Sequence, residues 1–327
     1  MISFFSNIFG YVLNFIYELI KNYGLAIILF SILLKILLLP LTIKQQKTLK
    51  KSQKIQAELK VIQERYKNDP EKLNQEMMAL YKRENMSPFS GCLSSIIQLI
   101  LLLAMFYLVR NPLTYMKKVD ANLINKYKEK ISLELGENSV STAYPEISIV
   151  KYINNKIDAK EEKIENEESA EKENIEREND IETEVVEEKE ELALDEDLYI
   201  NMNFLGLDLS NIPKENYKDV KVFIIPVLYI ISSFISIRLT QKQTDNPVKE
   251  KVEENNKEKS LEKIEQEEMT AQMSKSMTWM MPILAVSVSV IAPLGLALYW
   301  LVNNILMIAE RVIIDKFVVP KEEDKND

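Results

Sequence analysis

The stretch "ILFSILLKILLLPLT", Ile28 to Thr42, sets one lysine in a run of leucine and isoleucine long enough to cross a bilayer. About 20 consecutive apolar residues span the hydrocarbon core. A charge at the centre of such a helix costs roughly 2.5 to 3.5 kcal/mol on insertion scales, so intramembrane cations face a bundle interior or a wet cavity. Lys35 therefore marks an inward-facing side of a spanning helix, and the fold is read outward from it.

Four further segments have spanning character. With the first at 24–43, they lie at 89–109, 220–240, 277–291 and 293–314. The last two are joined at "IAPLG", where Pro293 and Gly295 leave room only for a tight turn. Lys44, Lys47, Lys50, Lys51 and Lys54 follow the first span, Arg238 and Lys242 the third, and Arg311, Lys316 and Lys321 the fifth. Basic flanks stay cytoplasmic, so five spans place the N-terminal side outside and the C-terminal tail, 315–327, in the cytoplasm. The expected fold is an all-α polytopic membrane protein, with five transmembrane helices around a hydrophilic groove.

Residues 1–23 lack a basic leader region and a small-residue cleavage site. Phe5, Ile8, Phe9, Val12, Ile16 and Leu19 share one helical face, and Asn7, Tyr11, Asn14, Glu18 and Lys21 the other. That pattern predicts an amphipathic helix lying in the outer interface, with an uncleaved signal-like anchor as the alternative.

Residues 44–88 predict a cytoplasmic helical hairpin. Ile55, Leu59, Ile62 and Tyr66 form one seam, and Leu73, Met77 and Leu80 the other. Between them Asp69 is placed to cap, and Pro70 to start, the second helix. With 11 basic and 6 acidic residues from Lys44 to Ser87, the hairpin is either a solvated coiled coil that enforces topology or an arm whose basic surface meets head groups, ribosomal RNA or an emerging chain.

The net charge of −9 is misleading, because Lys156 to Asp197 carries 20 acidic against 6 basic residues and leaves the rest of the chain at +5. This stretch lies in an extracytoplasmic loop, 110–219, and reads as a disordered or frayed, solvated insertion. The second cytoplasmic loop, 241–276, is also polar. Histidine is absent and Cys92 is the sole cysteine. Metalloenzyme and triad chemistry are thereby disfavoured, and no cofactor is expected.

Polar residues recur at helical spacing inside the spans. Ser31, Lys35 and Thr42 share a face of the first; Gly91, Ser94 and Gln98 of the second; Ser232, Ser233 and Ser236 of the third; Tyr299, Trp300, Asn303 and Asn304 of the fifth. Any one stripe is ordinary interhelical glue. Glue does not account for Lys35, because the spans hold no Asp or Glu until Glu310 near the inner boundary. An uncompensated cation among four polar stripes describes a hydrated groove. Scarcity of carboxylates argues against a cation-coupled carrier, so a small-solute transporter is the alternative function rather than the leading one.

The order of these blocks resembles the YidC/Oxa/Alb family of membrane protein insertases in its five-span form. The resemblance rests on "YGLAIILFSILLKILLLPLTIKQQKTLKK", the basic hairpin, "MSPFSGCLSSIIQLILLLAMFYLV", "FLGLDLSNIP" and "MMPILAVSVSVIAPLGLALYWLVNN". It implies a non-enzymatic insertase and chaperone whose groove receives a client's hydrophilic segment while its apolar helix moves into lipid. Lys35 is then the groove's basic residue and Trp300 its aromatic wall, with Ser31, Gln98, Ser232, Ser233, Ser236 and Asn303 lining it. Ser236 stands where the family pattern leads one to expect glutamine. Nascent membrane protein clients and membrane lipid are the implied partners, with a Sec translocon, the ribosome and the signal recognition particle route as candidate further ones.

Overall fold

A computed structural model describes residues 2–85, 90–136, 139–170, 196–252 and 287–317. The chain divides into two units: Met1–Phe30, Leu103–Phe223 and Ile291–Tyr299 in one, Ser31–Leu102, Ile224–Val290 and Trp300–Asp327 in the other. The described residues are mainly helical.

The first unit opens with α1, Ile2–Ile20. Its buried residues are Ser6, Phe9, Gly10, Leu13 and Tyr17, which recur every third or fourth position as one helical face must. Of the apolar face expected to lie in the outer interface, only Phe9 is buried in the core. Small and polar residues lie inward because α1 packs closely on backbone. Ser6 Oγ donates to the Ala104 carbonyl at 3.0 Å. A Cβ on Gly10 would lie 1.9 Å from the Tyr115 carbonyl oxygen, so only glycine fits. Phe4, Ile8, Tyr11, Phe15 and Leu19 form an exposed apolar stripe instead.

Among its described residues, the loop at 110–219 is folded. After α4, Ser90–Arg110, come a short α5, Pro112–Tyr115, then α6, Ala121–Leu135, and α7, Pro145–Ala170. Ile124, Tyr127 and Ile131 of α6 and Ile147, Ile149, Val150 and Ile153 of α7 are buried. The return segment adds Leu198, Ile200, Met202 and Leu209 to this core. Two-residue strands β1, Asn203–Phe204, and β2, Leu207–Asp208, pair antiparallel with Asn203 opposite Asp208. Leu205 and Gly206 between them both have positive φ, as a tight primed hairpin turn demands. The acidic stretch from 171 to 195 lies outside the described residues.

This return segment fastens the starts of two long helices. Tyr23 N–H donates to the Asn201 carbonyl at 3.0 Å, and the Leu294 and Gly295 amides donate to the Asn211 and Leu209 carbonyls at 2.9 Å each. Free N–H groups at helix starts need such acceptors. The block "FLGLDLSNIP" thus supplies backbone caps.

In the second unit α2, Tyr23–Arg65, runs without a break from the first span into the hairpin. The hairpin's first helix is therefore a continuation of the span, where the sequence suggested a separate element. Its partner α3, Pro70–Arg83, begins at Pro70, and Asp69 accepts from Lys72 N–H at 3.1 Å. Arg83 bonds Glu58 across the hairpin at 2.5 Å. Ile55 and Leu80 are buried, while Asp69 and Pro70 stay exposed at the turn.

A 3₁₀ turn at Val220–Phe223 leads into α8, Ile224–Val252, and the chain's final described helix is α9, Leu294–Phe317. Among the described residues three helices are long and apolar enough to cross a membrane: Tyr23–Thr48, Val220–Leu239 and Leu294–Ile314. Leu99–Arg110 is a shorter apolar helix. The expected fourth span lies outside the described residues apart from 287–291. Leu29, Leu33, Ile36 and Leu37 on α2 and Val227, Ile231, Phe234 and Ile235 on α8 are exposed, an outward apolar surface suited to lipid.

Candidate functional site

Lys35 sits in the middle of the apolar part of α2. Ser31 is one turn earlier and buried. Pro40, one turn later, lies inside the helix. Proline has no N–H, so the Ile36 carbonyl loses its usual helical donor beside Lys35. Thr42 turns its hydroxyl back to the Leu38 carbonyl at 3.2 Å, so its polar tip is spent within its own helix.

Along α9, Trp300, Asn303, Met307 and Glu310 recur at intervals of three and four, which places them on one face. Glu310 Oε2 lies 3.2 Å from Lys35 Nζ, with the glutamate side chain 8% exposed and the lysine 19%. This corrects the reading of Lys35 as uncompensated. The counter-charge is the same Glu310 that the sequence places toward the inner boundary, brought to Lys35 by the reach of a four-carbon lysine stem. The helical spacing from Asn303 to Glu310 is the sequence signal for this placement.

The pair is not fully satisfied. Glu310 Oε1 is buried without a hydrogen-bond donor among the described residues. Buried polar atoms in native proteins are rarely left so.

Other polar residues from the stripes separate into two groups. Asn304, 8% exposed, donates Nδ2 to Ser232 Oγ at 2.9 Å and to Ser233 Oγ at 3.3 Å. Ser232 Oγ in turn donates to the Tyr229 carbonyl at 2.9 Å. These two serines are interhelical glue joining α8 to α9, and Asn304 is the residue that the list of groove candidates lacked. Ser236, Asn303 and Trp300 remain partly exposed. The Trp300 ring is tilted against Tyr229 with centroids 6.2 Å apart. Gln98 lies on α4, but its side chain is outside the described residues.

A second buried carboxylate belongs to the first unit. Glu146, 5% exposed, accepts from Thr114 N–H at 2.9 Å and from Thr114 Oγ1 at 2.6 Å, which ties α7 to α5. Burial pushes its carboxyl above the ordinary glutamate range, and the Thr114 bonds oppose that shift. Nearby, Lys118 Nζ stands 4.1 Å over the Tyr11 ring and bonds Asn7 Oδ1 at 2.8 Å. Partial burial holds its ammonium below the usual lysine range.

Long apolar helices that carry a buried ion pair define a polytopic membrane protein, and comparison with known families agrees. The chain matches the family described as 60Kd inner membrane protein over residues 15–167 and 193–322, and it belongs to that family. It is similar, at 40% identity over 109 residues, to the membrane protein insertase YidC of Francisella tularensis subsp. novicida (strain U112). The same figures hold for the protein of that name from subsp. tularensis (strain SCHU S4 / Schu 4). That alignment takes in 33% of this chain and 20% of each relative's own length.

Proposed function

We propose that this chain is a membrane protein insertase that also assists folding, acting without covalent chemistry. The observation that carries the reading is a charged side chain midway along a spanning helix, partnered from another spanning helix, in a member of this inner membrane family. In the proposed arrangement five spans surround a hydrated groove, with Lys35 and Glu310 at its polar centre. Ser31, Gln98, Ser236, Trp300 and Asn303 line it, and Ser232 and Ser233 hold two of its helices together. The N-terminus lies outside and the C-terminus in the cytoplasm.

Client transfer is driven by burial of the client's apolar helix in lipid, worth about 25 cal/mol per Å². The groove need only lower the barrier for the short polar segment that must cross. The basic hairpin of α2 and α3 is suited to meet clients, lipid head groups or ribosomal RNA. A Sec translocon and the signal recognition particle route are candidate upstream partners. The exposed stripe of α1 suits the outer membrane interface.

A buried carboxylate does reopen one argument against a small-solute carrier, since Glu310 supplies an acidic group within a span. Substitution at Lys35 separates the two functions. In reconstituted vesicles at matched protein levels, Lys35→Arg should keep client insertion because charge and hydration survive. Lys35→Ala should slow it, leaving Glu310 unpaired, and Lys35→Glu should be worst because two carboxylates then meet. Wild-type insertion by both Lys35→Ala and Lys35→Glu across several clients would overturn the groove role of this residue.

A further inference from the structure

Among the described residues, the Lys35–Glu310 pair leaves one carboxylate oxygen without a donor. An ionised carboxylate is an acceptor through both oxygens, whereas an ammonium is only a donor. Glu310 spends Oε2 on Lys35, and Oε1 remains buried without a donor among the described residues. At 8% exposure the glutamate has little direct access to bulk water, and the lysine is only somewhat more open at 19%.

A polar peptide segment that enters such a place brings both N–H and C=O groups, and hydrocarbon satisfies neither. A lysine alone serves carbonyls and client carboxylates. It offers nothing to N–H groups or to client cations. Glu310 supplies the missing acceptor at the same depth. It also changes the charge selectivity of the site, because a client carboxylate can reach Lys35 only in competition with a carboxylate that is already there.

Resting on the insertase reading, we propose that Glu310 is a client-binding residue that sets charge preference. Its Oε1 accepts from an amide or ammonium donor of the client's polar segment, while its Oε2 competes with client carboxylates for Lys35. The pair is thus a donor–acceptor site for zwitterionic or neutral peptide, and it discriminates against acidic tails. A free cation at Lys35 would do the reverse.

The test uses three clients identical except for tails bearing two Asp, two Asn or two Lys residues, inserted into vesicles that hold the full-length protein. Glu310→Gln keeps the size and an acceptor oxygen but removes the competing charge. It should raise insertion of the Asp-tailed client several-fold, lower that of the Lys-tailed client several-fold and leave the Asn-tailed client close to wild type. Glu310→Asp should preserve the wild-type ranking, since it preserves the charge. Lys35→Gln/Glu310→Gln, which leaves no buried charge unpaired, should flatten the ranking even if the single variant accumulates poorly.

Acetylating the α-amino group of all three clients keeps that ammonium out of the comparison, so that the ranking reports the tail residues alone. A Glu310→Gln protein that changes all three clients by one common factor, or none of them, overturns the proposal. So does a charge ranking that survives in the double variant. Failure of the wild-type protein to exceed protein-free vesicles with any client would sink the insertase reading itself, a result separate from any change in ranking.

Discussion

Two buried glutamates, one in each unit, are finished to different degrees. Glu146 has a donor on each carboxylate oxygen, both from Thr114, and the two bonds join α7 to α5. Glu310 has a lysine on one oxygen and nothing described on the other. Similar burial with different satisfaction separates the two functions of a polar group in a core. A saturated carboxylate specifies one packing arrangement. One that keeps an open lone pair, at a site with a charged neighbour, is available to something that comes and goes.

The same contrast extends to packing. In the first unit α1 lies so close to the chain after α4 that only glycine is accommodated at position 10, with backbone as the obstacle. Gly24 is also crowded, by the Phe204 ring at 2.5 Å and the Phe204 Cβ at 2.7 Å from a virtual Cβ, less tightly than Gly10 but at the root of that side chain, where ring rotation alone gives no relief. Gly10→Ala should therefore have the largest effect of the predictions made for this unit. Overpacking costs about 1 to 3 kcal/mol and more against rigid backbone, minus the roughly 1 kcal/mol that alanine gains in helix propensity. Gly24→Ala should also destabilise, by less than Gly10→Ala, because its closest approach is 2.5 Å and not 1.9 Å. Thermal unfolding of the two variants in detergent gives the order, and equal melting points would show that α1 is loosely seated.

The next effect tests whether Glu146 is structural. Glu146→Ala removes the acceptor of two Thr114 donors and should cost about 1 to 3 kcal/mol. Glu146→Gln can keep both contacts, its oxygen accepting from Thr114 N–H and its amide donating to Thr114 Oγ1. The pH dependence has a defined sign. The folded-state carboxyl is raised above its ordinary value near 4.5, so the folded state holds its proton longer than the unfolded chain. Its contribution is complete below that ordinary value and is lost as pH rises through the folded value. The stability of Glu146→Gln relative to wild type should therefore increase as pH rises above about 4.5. Taking the difference cancels the titration of the other carboxylates, and a flat difference would mean that Glu146 is not desolvated in the folded protein.

The three described helices long enough to span are plain in the sequence because apolar residues dominate them, and the hairpin turn is plain because Asp69 and Pro70 favour a helix start. The folded body within 110–219 was hidden by its own neighbour. Ile124, Tyr127 and Ile131 sit at clean helical spacing, but an adjoining acidic block dominated the composition of the loop. Gly10 was hidden for a different reason: its requirement comes from Tyr115, more than one hundred residues away, and nothing local reports it. Glu310 reads from the sequence as a boundary residue because depth follows the α-carbon, whereas the long lysine stem meets the carboxylate away from the depth of either α-carbon.

The smallest expected effect concerns the polar stripe that turned out to be glue. Asn304 is as buried as Glu310, yet its amide nitrogen is spent on Ser232 and Ser233 of α8. Interhelical hydrogen bonds in membranes average about 0.6 kcal/mol in double-mutant cycles, since the separated helices also find partners. Asn304→Ala should lower stability by about that much in detergent, and the cycle with Ser232→Ala should show most of the loss to be shared. Client insertion at matched protein levels should stay near wild type, with no change in preference among Asp-, Asn- and Lys-tailed clients. A charge-dependent loss in Asn304→Ala would move this residue from the frame of the bundle to its client-binding surface, and the distinction between saturated and open polar groups would then fail inside the second unit itself.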